Sequence, residues 1–239
     1  MDIKRYGNDP SYGKYCDHTV LRAYTTSSKV VEFCEEAKKY KAAAVCVNPI
    51  HVSLVKTCLK GSGIKTAAVI GFPLGANKPC VKAYEAAEAV KDGADEVDMV
   101  INIGALREGD DALVFEDIKG VVAAAGDKAK VKVIIETCYL TREEKIKACV
   151  LSEAAGAHFV KTSTGMGTGG ATVEDIELMR ASVSERVEVK ASGGVDNREV
   201  AYKMLEAGAT RLGCSRLPQI VSDDTSLDSA SKRNQPPKY

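Results

Sequence analysis

Two lysines in matching surroundings are the residues of this sequence best suited to chemistry. Lys161 sits in FVKTSTG (159–165) and Lys190 in VEVKASGG (187–194). Each lies near the end of a run with strand-like alternation, just before a small-residue, glycine-rich turn. A buried ammonium is costly unless it is paired or loses its proton. Two lysines on successive strands repel each other, and a neighbouring cation lowers an amine's pKa. A neutral amine attacks carbonyls and forms a Schiff base. A single strand lysine is most often an edge residue with a solvated head; two in matching positions favour a shared site.

Other residues could serve the same site. In strands of period two, Lys161 shares a face with Phe159 and Ser163, Lys190 with Ser192, and Asp98 with Val100 and Asn102. If these faces point inward, Asp98 meets both amines. A carboxylate there can hold one amine as ammonium, leave the other neutral and relay protons; the plainer reading is a charge partner only. Asp17, Cys46, Asn48, Glu136 and Thr137 are further polar residues at strand ends. Cys46 is either a reactive thiol or, more simply, a small strand residue. His18 adjoins Asp17, but neighbouring strand residues point to opposite faces, so only one of the two can face inward. Gly165, Gly193, Gly194, Gly213 and Ser215 follow the last three strands. They make tight turns, or their exposed N–H groups cradle phosphate without any basic surface.

The elements that must position these residues follow from periodicity. Strands are expected over 14–20, 42–49, 66–75, 94–102, 130–137, 159–165, 187–194 and 210–215. Helices are expected over 27–40, from 49 to about 59, over 81–91, near 112–125, and over 142–155, 172–182 and 198–207. Ser27 or Ser28 can cap the first helix, and Thr141 the one that opens at 142. Glycines at 93, 156 and 208 end helices just before strands. Strands apolar on both faces and alternating with helices imply parallel pairing under helical cover. Eight such units indicate an α/β protein with a (β/α)8 TIM barrel. No GxGxxG opens the first unit, which counts against a dinucleotide fold. One domain is expected over 1–221, opened by a short helical segment, with a polar and mobile tail over 222–239.

Composition narrows the function. The 239 residues carry 33 basic and 33 acidic side chains, so nothing attracts nucleic acid or an anionic membrane. No run approaches the ~18 apolar residues a membrane helix needs. The eight cysteines are scattered without a CxxC pair and MDIKRYGNDP holds no apolar signal region, so a reduced, cytoplasmic protein is expected. No Cys-His spacing suits a metal.

In order along the chain, DHTVL (from Asp17), CVNP (from Cys46), GFPLG (from Gly71), EVDMVIN (from Glu96), FVKTSTG and VKASGG resemble the deoxyribose-phosphate aldolase family of class I aldolases. The resemblance spans about 15–215. It implies reversible cleavage of 2-deoxy-D-ribose 5-phosphate to D-glyceraldehyde 3-phosphate and acetaldehyde, in deoxyribose breakdown, with no cofactor and no metal. By the same resemblance Lys161 is the Schiff-base lysine, Lys190 keeps it neutral, and Asp98 serves the proton relay. Asp17, Cys46 and Thr162 fall among substrate-binding positions, with Gly165, Gly193, Gly194, Gly213 and Ser215 around the phosphate. A small-molecule sugar phosphate is the expected partner, and a homodimer or other homo-oligomer the expected assembly. The chain departs from the family pattern at Met166, at Asp196 and at Arg216-Leu217-Pro218; Arg216 either replaces a missing cation or obstructs the phosphate loop. The C-terminal Tyr239 either reaches the site to aid proton transfer or belongs to a plain disordered end. Two other readings stay open: a transaldolase-type lysine aldolase for a different sugar phosphate, and a catalytically silent sugar-phosphate binder.

Overall fold

The computed structural model describes residues 10–222. Its eight strands are β1 Cys16–Val20, β2 Ala44–Val47, β3 Lys65–Ile70, β4 Glu96–Val100, β5 Lys130–Ile134, β6 Phe159–Lys161, β7 Glu188–Ser192 and β8 Arg211–Cys214. They pair in parallel, each with the next, and β8 returns to β1 to close the barrel. The helices are α1 Ser27–Tyr40, α2 Val52–Cys58, α3 Pro79–Lys91, α4 Ile103–Glu108, α5 Asp111–Ala125, α6 Arg142–Ala154, α7 Val173–Ser182, α8 Arg198–Glu206 and α9 Leu217–Val221. The expected TIM barrel is therefore present. Residues 223–239, with Tyr239 and most of the expected tail, lie outside the described residues.

Strand alternation builds two cores. Outward residues such as Val45, Val47, Ala68, Ile70, Val97 and Met99 join the helices in the main apolar layer. Inward residues of β2 and β3 (Ala44, Cys46, Ala67 and Val69) form a small apolar cluster of their own. The lumen of β4 to β8 and β1 is instead filled with charge: Asp17, Glu96, Asp98, Lys132, Lys161 and Lys190 are all buried.

Local signals explain most element ends. Thr141 and Glu144 form a capping box at α6, and Thr172 caps α7. At α1 the cap is Thr26, which accepts from Lys29 N, rather than Ser27 or Ser28; in the run TTSS several residues can cap, and the turn after β1 selects the earlier one. The strand expected over 94–102 stops at Val100, because the Asn102 side chain accepts from Ala105 N and opens α4. The stretch after β8, read as loop, begins the short helix α9.

Behind the barrel, Lys82 of α3 and Asp117 of α5 form an ion pair of 2.5 Å with both side chains fully buried. Lys82 Nζ also donates to Val100 O at 2.8 Å, tying both helices to the end of β4, two residues beyond Asp98. Burial pulls the Lys82 amine down and pushes the Asp117 carboxyl up, against the attraction between them. Asp117→Ala, which strands a buried ammonium, is expected to lower stability by ~3–5 kcal/mol in urea unfolding. A Lys82→Met/Asp117→Leu double variant should recover most of that loss.

Candidate active site

One carboxylate collects three amines in the lumen. Asp98 Oδ2 accepts from Lys161 Nζ at 2.8 Å and from Lys190 Nζ at 2.7 Å. Its other oxygen accepts from Lys132 Nζ at 2.7 Å. The strand register produces this arrangement: Lys132 lies across from Asp98 on β5 and β4, and Lys161 across from Lys190 on β6 and β7. Asp17 on β1 holds Lys190 through Oδ2 and Arg211 through Oδ1, the latter at 2.8 Å. Glu96 accepts from Arg211 at 3.1 Å and sits 2.5 Å from Lys132. The Phe159 ring floors this layer, 5.2 Å from the Arg211 guanidinium.

Charge balance decides which amine gives up its proton. Four basic side chains (Lys132, Lys161, Lys190, Arg211) share three carboxylates (Asp17, Glu96, Asp98). In a dry lumen the fourth cation has no counter-ion, so the least supported amine holds its proton least firmly. That amine is Lys161: burial lowers its pKa, Lys190 lowers it further, and its one carboxylate, Asp98, does not restore it. Burial also acts against Lys190, but Asp17 and Asp98 outweigh it and raise that pKa. Lys132 is raised well above the lysine range by Asp17, Asp98 and Glu96, despite its burial. The same cations overcome burial at Asp98 and hold it well below the usual carboxylate range.

Lys161 is also the lysine of this cluster that reaches open space. A cavity of about 720 Å³ lies at the C-terminal ends of the strands, where barrels place their sites. Its walls include Lys161, Gly165, Gly193, Gly194, Gly213 and Ser215. Gly165, Gly193 and Gly194 have φ of 78°, 81° and 79°, and among the described residues their N–H groups meet no backbone acceptor. Gly213 serves a steric end: a Cβ there would stand 2.9 Å from Ser192 Cβ and 3.2 Å from Lys190 Cε. A second hollow of about 580 Å³, lined by Lys56, Lys65 and Asp95, lies at the opposite ends of the strands, far from these lysines.

Several expected site residues stand behind Lys161 rather than on the cavity wall. Asp17, Asp98 and Lys190 are fully buried. So is Cys46, whose thiol is pushed up to about 11 by burial and by Asp98. The Thr162 hydroxyl donates to Ser192 O at 3.0 Å and accepts from Ser192 N at 3.1 Å, pinning β6 to β7. Asp17 takes the inward face, and His18 turns outward to Glu36. At the mouth, Arg216 Nε lies 3.9 Å from Asp196 Oδ1, so two of the unusual positions face each other and leave the cavity open. Met166 lines the same mouth, partly exposed.

Lys132, Glu96 and Arg211 were not singled out from sequence. Lys132 had a signal: it is inward by alternation in KVKVI, one strand beyond Asp98. Glu136 was noted without a role. It adopts φ of 55°, a left-handed conformation rare outside glycine. Its buried carboxylate accepts from Thr164 N at 3.2 Å and from the Thr164 hydroxyl. That clamp holds the loop from β6 to α7, which carries Gly165 and Met166. Glu136→Ala is expected to raise amide hydrogen exchange across residues 163–170 by about tenfold or more, with the β6 and β7 amides still protected; unchanged loop exchange would remove Glu136 as the clamp.

Comparison with known proteins follows the same lines. A family model described as DeoC/LacD family aldolase matches residues 13–216. The chain is 55% identical over 212 residues to a deoxyribose-phosphate aldolase of Geobacillus sp. (strain WCH70), covering 89% of this chain and 95% of that protein. It is 58% identical over 211 residues to a deoxyribose-phosphate aldolase of Thermococcus gammatolerans, with 87% and 94% covered. Among solved structures, the tetrameric deoxyribose phosphate aldolase from Aeropyrum pernix superposes with a TM-score of 0.84 at 29% identity, over 95% of this chain and 98% of that one.

Proposed function

The chain belongs to the DeoC/LacD family of aldolases, and from that premise we propose that Lys161 is the amine on which its carbon–carbon chemistry runs. The enzyme is a class I aldolase that reversibly cleaves 2-deoxy-D-ribose 5-phosphate to D-glyceraldehyde 3-phosphate and acetaldehyde. The observation that carries the assignment is the pairing of access with basicity: in the lumen cluster, Lys161 both lines the cavity and has a lowered pKa.

Lys161 adds as a free amine to the aldehyde carbon of the open-chain sugar, and loss of water gives a protonated imine. That step restores a fourth positive charge beside three carboxylates. The imine is therefore a strong electron sink, and breaking the C2–C3 bond relieves the excess charge by forming a neutral enamine. The proton of the C3 hydroxyl passes to water in the open cavity as D-glyceraldehyde 3-phosphate departs. The enamine then takes a proton at C2, and hydrolysis releases acetaldehyde. Lys190, firmly protonated and beside Lys161, is the acid of these transfers. Asp98, firmly ionised, accepts from both nitrogens and aligns them for the proton relay. Asp17 keeps Lys190 charged from the far side.

The phosphate sits against the N–H groups of Gly165, Gly193 and Gly194, beside Ser215. Arg216, on the cavity wall, supplies the cation. We also infer a homo-oligomer: Ile50, Leu74 and Tyr84 are exposed apolar side chains of the kind an assembly covers, and a relative is a tetramer. Among the described residues no helix is long and apolar enough to cross a membrane.

Borohydride reduction in the presence of acetaldehyde, followed by peptide mapping, tests the central assignment. An ethyl group fixed on Lys161 is expected. Label on Lys190 instead would reverse the two roles, and no label on either lysine of the folded protein would overturn the reading.

A further inference from the structure

Glu136 sits at an irregularity between the ends of β5 and β6. Ile135 N donates to Lys161 O and Thr137 N to Thr162 O, both at 3.0 Å. Two steps along one chain therefore match one step along the other, and Glu136 is the extra residue of a bulge. It adopts φ of 55° and ψ of 67°, a conformation that a residue with a Cβ enters at a cost and that tends to mark functional sites. One oxygen of its carboxylate accepts from Thr164 N at 3.2 Å, and the other from the Thr164 hydroxyl. The same hydroxyl oxygen accepts from Met166 N at 3.0 Å. The N–H groups on either side of Gly165 are thus taken up within the clamp. That of Gly165 meets no backbone acceptor among the described residues, and Gly165 lines the cavity.

The far end of the same loop carries the clamp to the neighbouring turn. Ala171 N donates to Ser192 O at 3.1 Å and to Gly193 O at 3.0 Å. A Cβ on Gly170 would stand 2.3 Å from Gly193 O, and one on Gly193 would stand 3.6 Å from Gly165 Cα. The loop and the Gly193-Gly194 turn therefore touch backbone to backbone, and a shift of one displaces the other. Against the clamp itself the fit is equally close: a Cβ on Gly167 would stand 3.3 Å from Glu136 Cδ and 2.9 Å from Cys138 Sγ. Glu136 is buried and is not among the residues lining the cavity, so it works through the loop and does not touch a ligand.

We propose that Glu136 is the positioning residue for phosphate recognition, and that it sets the preference for a phosphorylated over an unphosphorylated sugar. It holds the Gly165 N–H, and through the loop the Gly193-Gly194 turn, in one orientation toward the cavity. N–H groups in such turns bind an anion as a set, so losing their alignment weakens the whole cradle. Lys161 and Lys190 are held separately, by Asp98 on β4, and keep their places. The proposal rests on the reading of Gly165, Gly193 and Gly194 as phosphate turns.

The experiment measures steady-state cleavage of 2-deoxy-D-ribose 5-phosphate and of 2-deoxy-D-ribose by the full-length protein and by Glu136→Gln, Thr164→Val and Thr164→Ser. The amide of Glu136→Gln keeps the side chain's size but replaces one acceptor oxygen with a donor. In that variant the KM for the phosphorylated sugar should rise at least about tenfold. Its kcat should stay within about threefold, and kcat/KM for 2-deoxy-D-ribose within about twofold. Thr164→Val, at the partly exposed end of the clamp, should raise the same KM, and Thr164→Ser, which keeps the hydroxyl, should not. That pair keeps the test sound if the Glu136 variant misfolds. Equal losses on both sugars, or an unchanged KM for the phosphorylated one, would overturn the proposal. A parent that cleaves neither sugar would instead overturn the aldolase reading. Binding of inorganic phosphate, followed by phosphorus NMR, then decides: weaker binding in Glu136→Gln supports the proposal and equal binding overturns it.

Discussion

The carboxylate of Asp98 is the constraint on which the lumen depends. Three lysine side chains converge on its two oxygens at 2.7 and 2.8 Å. With Asp17 and Glu96 it supplies three negative charges to a layer holding four basic groups. Buried ions at this density tolerate little imbalance, so one amine is left unsupported. Lys132 and Arg211 each contact two carboxylates or more, Lys190 contacts two and Lys161 contacts one. Under the proposed function the reactive group is thus selected by the counter-ion it lacks, and the same shortage makes its imine a strong electron sink.

Barrel geometry keeps that layer intact. The β2 and β3 side of the lumen is filled by small apolar side chains, so the charged groups are crowded against one another and not against water. Gly213 leaves room for the Lys190 stem. Lys82 and Asp117 hold the end of β4 from outside, and Glu136 holds the loop that follows β6. Each sits at a strand end, where small displacements would move a reacting atom.

Much of this was legible in sequence, and the rest was missed for physical reasons. Period-two alternation puts Lys161, Lys190 and Asp98 on inward faces, and strand–helix alternation gives the barrel. What alternation does not carry is register, which decides that Lys132 lies beside Asp98 and Arg211 beside Lys190. KVKVI and TRLGCS therefore read as ordinary strands. The short helices α4 and α9 are below the length at which helical periodicity is visible. Arg216, read either as a replacement cation or as an obstruction of the phosphate loop, lies against Asp196 at the cavity mouth, a contact between residues twenty positions apart that no local pattern announces.

The most direct test of the charge account is to follow the ε-nitrogen of Lys161 by NMR as a function of pH, in the parent chain and in Lys190→Met. In the parent, Lys161 should lose its proton below the ordinary lysine range. Removing the neighbouring ammonium should move that titration upward, because Asp98 then supports Lys161 with less competition. A Lys161 that titrates at or above the ordinary range in the parent, or that does not move in Lys190→Met, would contradict the account.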